Sequence, residues 1–349
     1  MINRVHTVLM EILRERSFDW RTCYTHVSLS RPDGSHLTVE ASDADVLAEL
    51  EKRLRRAVPE ASDTLSCIEL PGRGSGLAER FLAASSVVDV RKEGAHSSEL
   101  LTQITYGDLV APLKDEGDWL LARLDDGYVG WIRKWYLKPT SIGDARAFSD
   151  RAAHRIKHNI IQAFEDPSIE SVPVTDAVVG TPVVASDCRK RGWRFVEFPD
   201  GKCGYVASGA IQRIPRRTRV SRERLSTTGM RFMGIPYLWG GTSPKGFDCS
   251  GLMQKIFSLH GHVLPRDSDM QARHGKAKSI DRTDSFRTGD LLFFGTDADS
   301  ISHVAMYLSN GLFLHAYGHV RVGSLDPKNP LYDTKLSHDW QLVRDPLAV

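Results

Sequence analysis

Polar and apolar residues alternate through THVSLSRPDGSHLTVEA (25–41), around Pro32-Asp33-Gly34, and this predicts a β-hairpin. Behind it Leu47, Leu50 and Leu54 recur at helical spacing, with Ser42 or Asp43 placed to cap that helix. A strand near Leu65–Leu70 and the turn Pro71-Gly72 close a small α+β unit over 1–80. A repeated pattern follows. Residues 106–131 hold YGDLV, then Trp119, then DGYVGW; residues 179–205 hold VGTPVV, then Trp193, then DGKCGY. In both copies the Trp lies eight residues before the DG glycine and twelve before the last aromatic. Short strands joined by an Asp-Gly turn predict two small antiparallel barrels, at 81–140 and 169–215, with Trp119, Trp131 and Trp193 in their cores. Between them DARAFSDRAAHRIKHNIIQAFE (143–164) reads as helix ended by Pro167, a helical linker over 141–168. From 216 to 349 helical stretches at 221–233 and 249–261 precede strands at 291–294, 304–308 and 312–317. Helix first and sheet afterwards is an α+β arrangement, so the whole chain is expected to be α+β and multidomain.

Composition narrows the classes of function. The 349 residues hold 41% hydrophobic and 26% charged side chains, the balance of a folded chain of two to three domains. Lys and Arg number 46 against 44 Asp and Glu, and that near-balance argues against a nucleic-acid partner. No apolar run approaches a membrane span, and the run Val8 to Met10, broken by Glu11, is too short for a secretory signal. The expected location is therefore a reducing cytoplasm. Five cysteines (Cys23, Cys67, Cys188, Cys203, Cys249) form no CxxC and are odd in number, which excludes a disulfide framework or a zinc knuckle. His260-Gly-His262 and the pair His154, His158 lack a third ligand, so neither a metal nor a cofactor is expected. The other four cysteines read as structural.

Cys249 is different. It stands in GFDCSGLMQKIF, where a glycine-containing loop gives way to an amphipathic helix. A thiol at a helix N-terminus meets the positive end of the dipole, which favours the thiolate. A thiolate nucleophile wants an imidazole, and the imidazole wants a third group to orient it. His303 in ISHVAMYL and His315 in LFLHAYG lie on two strands joined by Ser309-Asn310-Gly311. A three-residue loop would pair Leu308 with Leu312 and put both histidines on one face; a two-residue Asn-Gly turn would put them on opposite faces.

PYLWGGTSPKGFDCSGLMQKIF, LPRDSDMQ, TGDLLFF, ISHVAMYL and GLFLHAYG, in that order over about 216–345, resemble the NlpC/P60 family of papain-like cell-wall peptidases. Each barrel resembles a bacterial SH3 domain, and the whole chain resembles the dipeptidyl-peptidase VI branch of γ-D-glutamyl-L-diamino-acid endopeptidases. The resemblance implies Cys249 as nucleophile, His303 as general base, His315 as the residue orienting it, and Tyr237 beside the nucleophile helping to hold the oxyanion. It also implies a murein peptide with a free N-terminal L-alanine as partner. Tyr128 and Glu99 (with Glu93 as rival), Asp267 and Ser268 would read that amino terminus, while Asp248 and Ser250 would flank the nucleophile in the substrate site. One carboxylate plus hydroxyl acceptors suits an α-ammonium group. The competing expectation is an exported hydrolase acting on intact wall.

Overall fold

The computed structural model describes residues 5, 7–8, 10–12, 19–29, 36–72, 74–190, 192–215 and 220–348, with the backbone alone at 29, 60–62, 188 and 189. The Pro32-Asp33-Gly34 turn and the side chain of Cys188 lie outside what is described. Among the described residues no helix is long and apolar enough to cross a membrane. By its internal contacts the chain divides into two units. One is Met1–Phe81, Arg91–Ser98 and Leu109–Ile142; the other is Leu82–Val90, Glu99–Asp108 and Gly143–Val349.

In the first unit Thr25–Leu29 runs antiparallel to Leu37–Ala41, which runs parallel to Leu65–Glu69. The helix Ala44–Ala57 makes the crossover that a parallel pair requires. Asp43 caps it by accepting from the backbone N–H groups of Asp45 and Val46, and Val46, Leu47, Leu50 and Leu54 are buried beneath it. The same unit holds the antiparallel run Leu109–Glu116, Trp119–Leu124, Val129–Arg133. Gly127 closes its second turn at φ +87°, a conformation that favours glycine, and Trp119 and Trp131 lie in its core.

In the second unit the other copy of the repeat makes the same turn, with Gly201 at φ +89° between Trp193–Glu197 and Cys203–Ala207. Here two expectations are corrected. The helix expected over 143–164 ends at Arg151, and His154–Ile156 and Ile160–Phe164 are strands of this second sheet. Ile156 and Ala163 are needed in the barrel core, where an extended backbone delivers them and a solvated helix would not. Trp193 is half-buried, packed edge-on against Phe164 outside that core, because strand alternation turns Arg194 and Val196 inward instead.

The C-terminal part of the second unit packs the helices Arg222–Met230 and Cys249–Ser258 against a six-stranded sheet. The strand order is Lys276–Lys278, Trp340–Asp345, Leu291–Gly295, Ile301–Ser309, Leu312–Tyr317, His319–Ser324. Leu252, Met253, Ile256 and Phe257 of the second helix share a fully buried core with Val304, Met306 and Leu314 of the sheet. The chain is thus α+β and multidomain: a small N-terminal sheet, an SH3-like β region and a C-terminal helix-on-sheet domain.

Candidate active site

Asp248 begins the site. Its carboxylate caps the helix Cys249–Ser258, Oδ1 accepting from the Gly251 N–H at 2.7 Å and Oδ2 from the Gly240 N–H at 3.0 Å. One side chain thereby ties the glycine loop to the helix start. A Cβ at Gly251 would lie 2.2 Å from the Gly241 carbonyl, so only glycine allows this approach. Arg266, 1% exposed, adds a bidentate ion pair to the same carboxylate at 3.1 and 2.5 Å, donates to Ser250 Oγ at 2.9 Å, and reaches Thr102 Oγ1 at 2.7 Å. Gln271 Nε2 secures the Ser250 carbonyl at 3.1 Å. Asp248 and Ser250, expected as substrate-binding groups, are hydrogen-bonded to Arg266, to each other and, for Asp248, to the backbone, and so hold the start of the helix in place. Arg266 itself escaped the sequence reading. Its only signal was that a carboxylate capping a buried helix start would need a cation.

This framework holds Cys249, which is buried, at the first helical position with the backbone N–H groups of Val304 and Ser250 directed at its sulfur. Those donors and Arg266 favour the thiolate, as the helix dipole does. Burial and the neighbouring Asp248 charge outweigh them and push the thiol up to about 12. Without substrate the thiol is protonated, and a base must take its proton.

The base strand is built by a detail the sequence left open. Asn310 (φ +49°) and Gly311 (φ +76°) form a two-residue turn, with Ser309 opposite Leu312. That register alone would separate the histidines. A bulge at Leu308 then shifts the pairing, so that Tyr307 faces Phe313 and Met306 faces Leu314. His303 and His315 consequently share one face, with His303 Nε2 2.9 Å from His315 Nδ1. Arg321, paired with His315 across the next two strands, donates from Nε to His315 Nε2 at 3.3 Å and from Nη2 to Asp333 at 3.3 Å. The two rings share one hydrogen bond between His303 Nε2 and His315 Nδ1. With the proton on His303 Nε2 and donated to His315 Nδ1, His303 Nδ1 is left unprotonated to accept the thiol proton, and His315 carries its own proton on Nε2, at the expense of the long Arg321 contact.

Burial drives His303 down to about 4, and burial with the adjacent His303 and Arg321 drives His315 to about 2. Both rings are neutral at physiological pH. Because the folded-state pKa lies below the ordinary value of 6.5, the neutral base persists until the pH falls through about 4. The acid limb of kcat/KM for the free enzyme is therefore expected near pH 4; a limb near 6.5 would assign the base to another group. The same shifts make the fold lose stability as the pH drops below 6.5, since unfolded imidazoles take up protons that the folded ones refuse.

Tyr237 is held by its N–H to the Gly318 carbonyl at 2.9 Å and by a parallel bridge to Phe247. Burial first, then Cys249 and Asp248, raise its hydroxyl pKa, so it stays a proton donor beside the thiol. Tyr237 and His303 open on a pocket of about 480 Å³ that Asp333, Lys335 and Asp339 also line. Elsewhere in this unit, Glu99 accepts from the indole N–H of Trp239 at 3.2 Å, and Gln103 holds Thr242 through two hydrogen bonds. Glu99 is thus brought to the glycine loop that leads to Cys249. Asp267 precedes the short helix Ser268–Gln271 and Ser268 is buried, both directly after Arg266. Tyr128 and Glu93 belong to the other unit. There Tyr128 is buried with its N–H held by Asp126, and the exposed Glu93 has its N–H held by Ser98. Among the described residues no group of three or more metal-ligating side chains is assembled.

Comparison with known proteins identifies the family. Residues 234–340 match the profile described as the NlpC/P60 family, and residues 86–138 match that of a bacterial SH3 domain. Dipeptidyl-peptidase 6 of Lysinibacillus sphaericus is 32% identical over 69% of this chain and 89% of its own length. A γ-D-glutamyl-L-lysine dipeptidyl-peptidase of Bacillus subtilis is 32% identical over 62% of this chain and 71% of its own. The crystal structure of an NlpC/P60 family protein from Bacillus cereus shares the fold, with a TM-score of 0.64 and 22% identity over 77% of this chain and 99% of that one.

Proposed function

We propose, from the premise that this chain belongs to the NlpC/P60 family of cysteine peptidases, that it cleaves the bond between γ-D-glutamate and an L-diamino acid in murein peptides whose N-terminal L-alanine is free. Similarity over most of the length of a γ-D-glutamyl-L-lysine dipeptidyl-peptidase carries this reading. Glu99, which accepts from Trp239 of the loop before the nucleophile, supports the requirement for a free amine. In the reaction His303 takes the thiol proton and Cys249 Sγ attacks the γ-carbonyl carbon. The backbone N–H of Cys249 and the Tyr237 hydroxyl stabilise the oxyanion. His303 then protonates the departing amine, and water releases the acyl group from sulfur by the reverse proton route. His315 orients the base throughout.

A free amine marks a peptide already detached from its sugar, so we assign the enzyme to turnover of released wall peptides in the cytoplasm. Glu99, Asp267 and Ser268 are the groups proposed to read the ammonium. An N-acetylated peptide would forfeit the charge-assisted hydrogen bonds of the ammonium, about 1.5–3 kcal/mol for each. The expected result is a kcat/KM for L-Ala-γ-D-Glu-diaminopimelate on the order of a thousand times that of its N-acetyl analogue. Glu99→Gln should cost the free peptide up to about a hundredfold and the acetylated one little. Equal wild-type turnover of the two peptides would favour a hydrolase of intact wall instead.

A further inference from the structure

We infer that the pocket beside His303 receives the distal end of the leaving residue, and that Lys335 selects a residue ending in a carboxylate as well as an ammonium group. The inference rests on the proposed function and adds the identity of the diamino acid: meso-diaminopimelate in preference to L-lysine.

Chemistry fixes which side of the nucleophile the pocket serves. The amine expelled from the tetrahedral intermediate must take a proton from His303, so the leaving residue lies on the His303 side of Cys249. His303 is itself a wall of the pocket, whereas Glu99, Trp239, Asp267 and Ser268, the groups on the acyl side, do not line it. Its volume of about 480 Å³ suits an extended amino-acid side chain.

The charges then discriminate between side chains. Asp333 is committed, accepting from Arg321 and from the Leu336 N–H. Asp339 lines the pocket one helical turn from Lys335 and meets the His338 ring at 3.0 Å. Lys335 is exposed at the pocket wall and forms no ion pair among the described residues. A lysine side chain brings a lone ammonium, which Asp339 attracts and Lys335 repels. A diaminopimelate side chain brings an ammonium and a carboxylate on one carbon, and so answers both of these neighbouring charges at once. Because Lys335 is open to solvent, screening holds the preference to tens rather than thousands.

The test is kcat/KM on L-Ala-γ-D-Glu-meso-diaminopimelate and L-Ala-γ-D-Glu-L-Lys for the wild type, Lys335→Met and Lys335→Glu. The wild type is expected to prefer the diaminopimelate peptide at least tenfold, Lys335→Met to lose most of that ratio, and Lys335→Glu to invert it. Turnover of both peptides with a ratio near one, or a ratio that Lys335→Met leaves unchanged, would overturn the inference and leave the proposed function standing. No turnover of either peptide would overturn the proposed function and the inference with it.

Discussion

Cys249→Ala is expected to abolish turnover, by at least about ten thousandfold in kcat, while the folded protein melts within a few degrees of the wild type. The sulfur is the attacking atom in the proposed reaction and nothing else near it can replace it. The thiol makes a small part of a core already filled by Leu252, Val304 and Val320, so its loss removes little packing. His303→Ala should be almost as severe, since a thiol held near 12 needs a base to react at neutral pH. His315→Asn should be milder, about ten- to a hundredfold, because an amide can still orient the imidazole. Single-turnover assays of the three variants check the order. An ordered Cys249→Ala protein that retained wild-type turnover would remove the cysteine from the chemistry, and equal losses at His303 and His315 would remove the ranking.

Arg266→Met is expected to destabilise the second unit by about 3–5 kcal/mol, the effect of stripping one partner from a buried ion pair. The Asp248 carboxylate would keep its bonds from Gly251, Gly240 and Ser250 but lose the Arg266 cation, and Thr102 would lose the Arg266 donor. Since Asp248 holds both the glycine loop and the first turn of the Cys249 helix, turnover should fall with stability. Calorimetry on the full chain measures the first effect. Asp248→Asn in the Arg266→Met background removes the orphaned charge and should restore part of the loss. A drop below about 1 kcal/mol in the single variant would mean that the carboxylate is satisfied without Arg266.

Local patterns specified much of this protein. The helix over Ala44–Ala57 follows from its leucine spacing and from Asp43 as cap, both of which are properties of consecutive residues. The Asp-Gly turns at Gly127 and Gly201 follow equally, because a φ near +90° favours glycine. Cys249 stood out for the same reason: a thiol at the junction of a glycine loop and an amphipathic helix is visible in a dozen residues. Short-range pattern failed where long-range packing chose between local options. His154–Ile156 and Ile160–Phe164 are strands because each pairs with a neighbour on both sides inside the second sheet, although the residues alternate poorly and suit a helix. Trp193 turned outward because its neighbours, one position along the strand, were wanted inside.

Within the site the division is sharper. The order of Cys249, His303 and His315 along the chain is sequence, and so is the chemistry each can perform. Whether the histidines face each other was decided by one bulge at Leu308, which offsets a turn that would otherwise have parted them. No propensity places that bulge; the packing of His315 and Phe313 beneath the sheet does. The protonation of the thiol was likewise beyond reach of the sequence, because helix dipole and burial oppose one another and only the packed structure determines how much water remains at the sulfur. Arg266 was hidden for that reason too. A buried arginine reads as a surface one until the fold closes around the carboxylate it must neutralise.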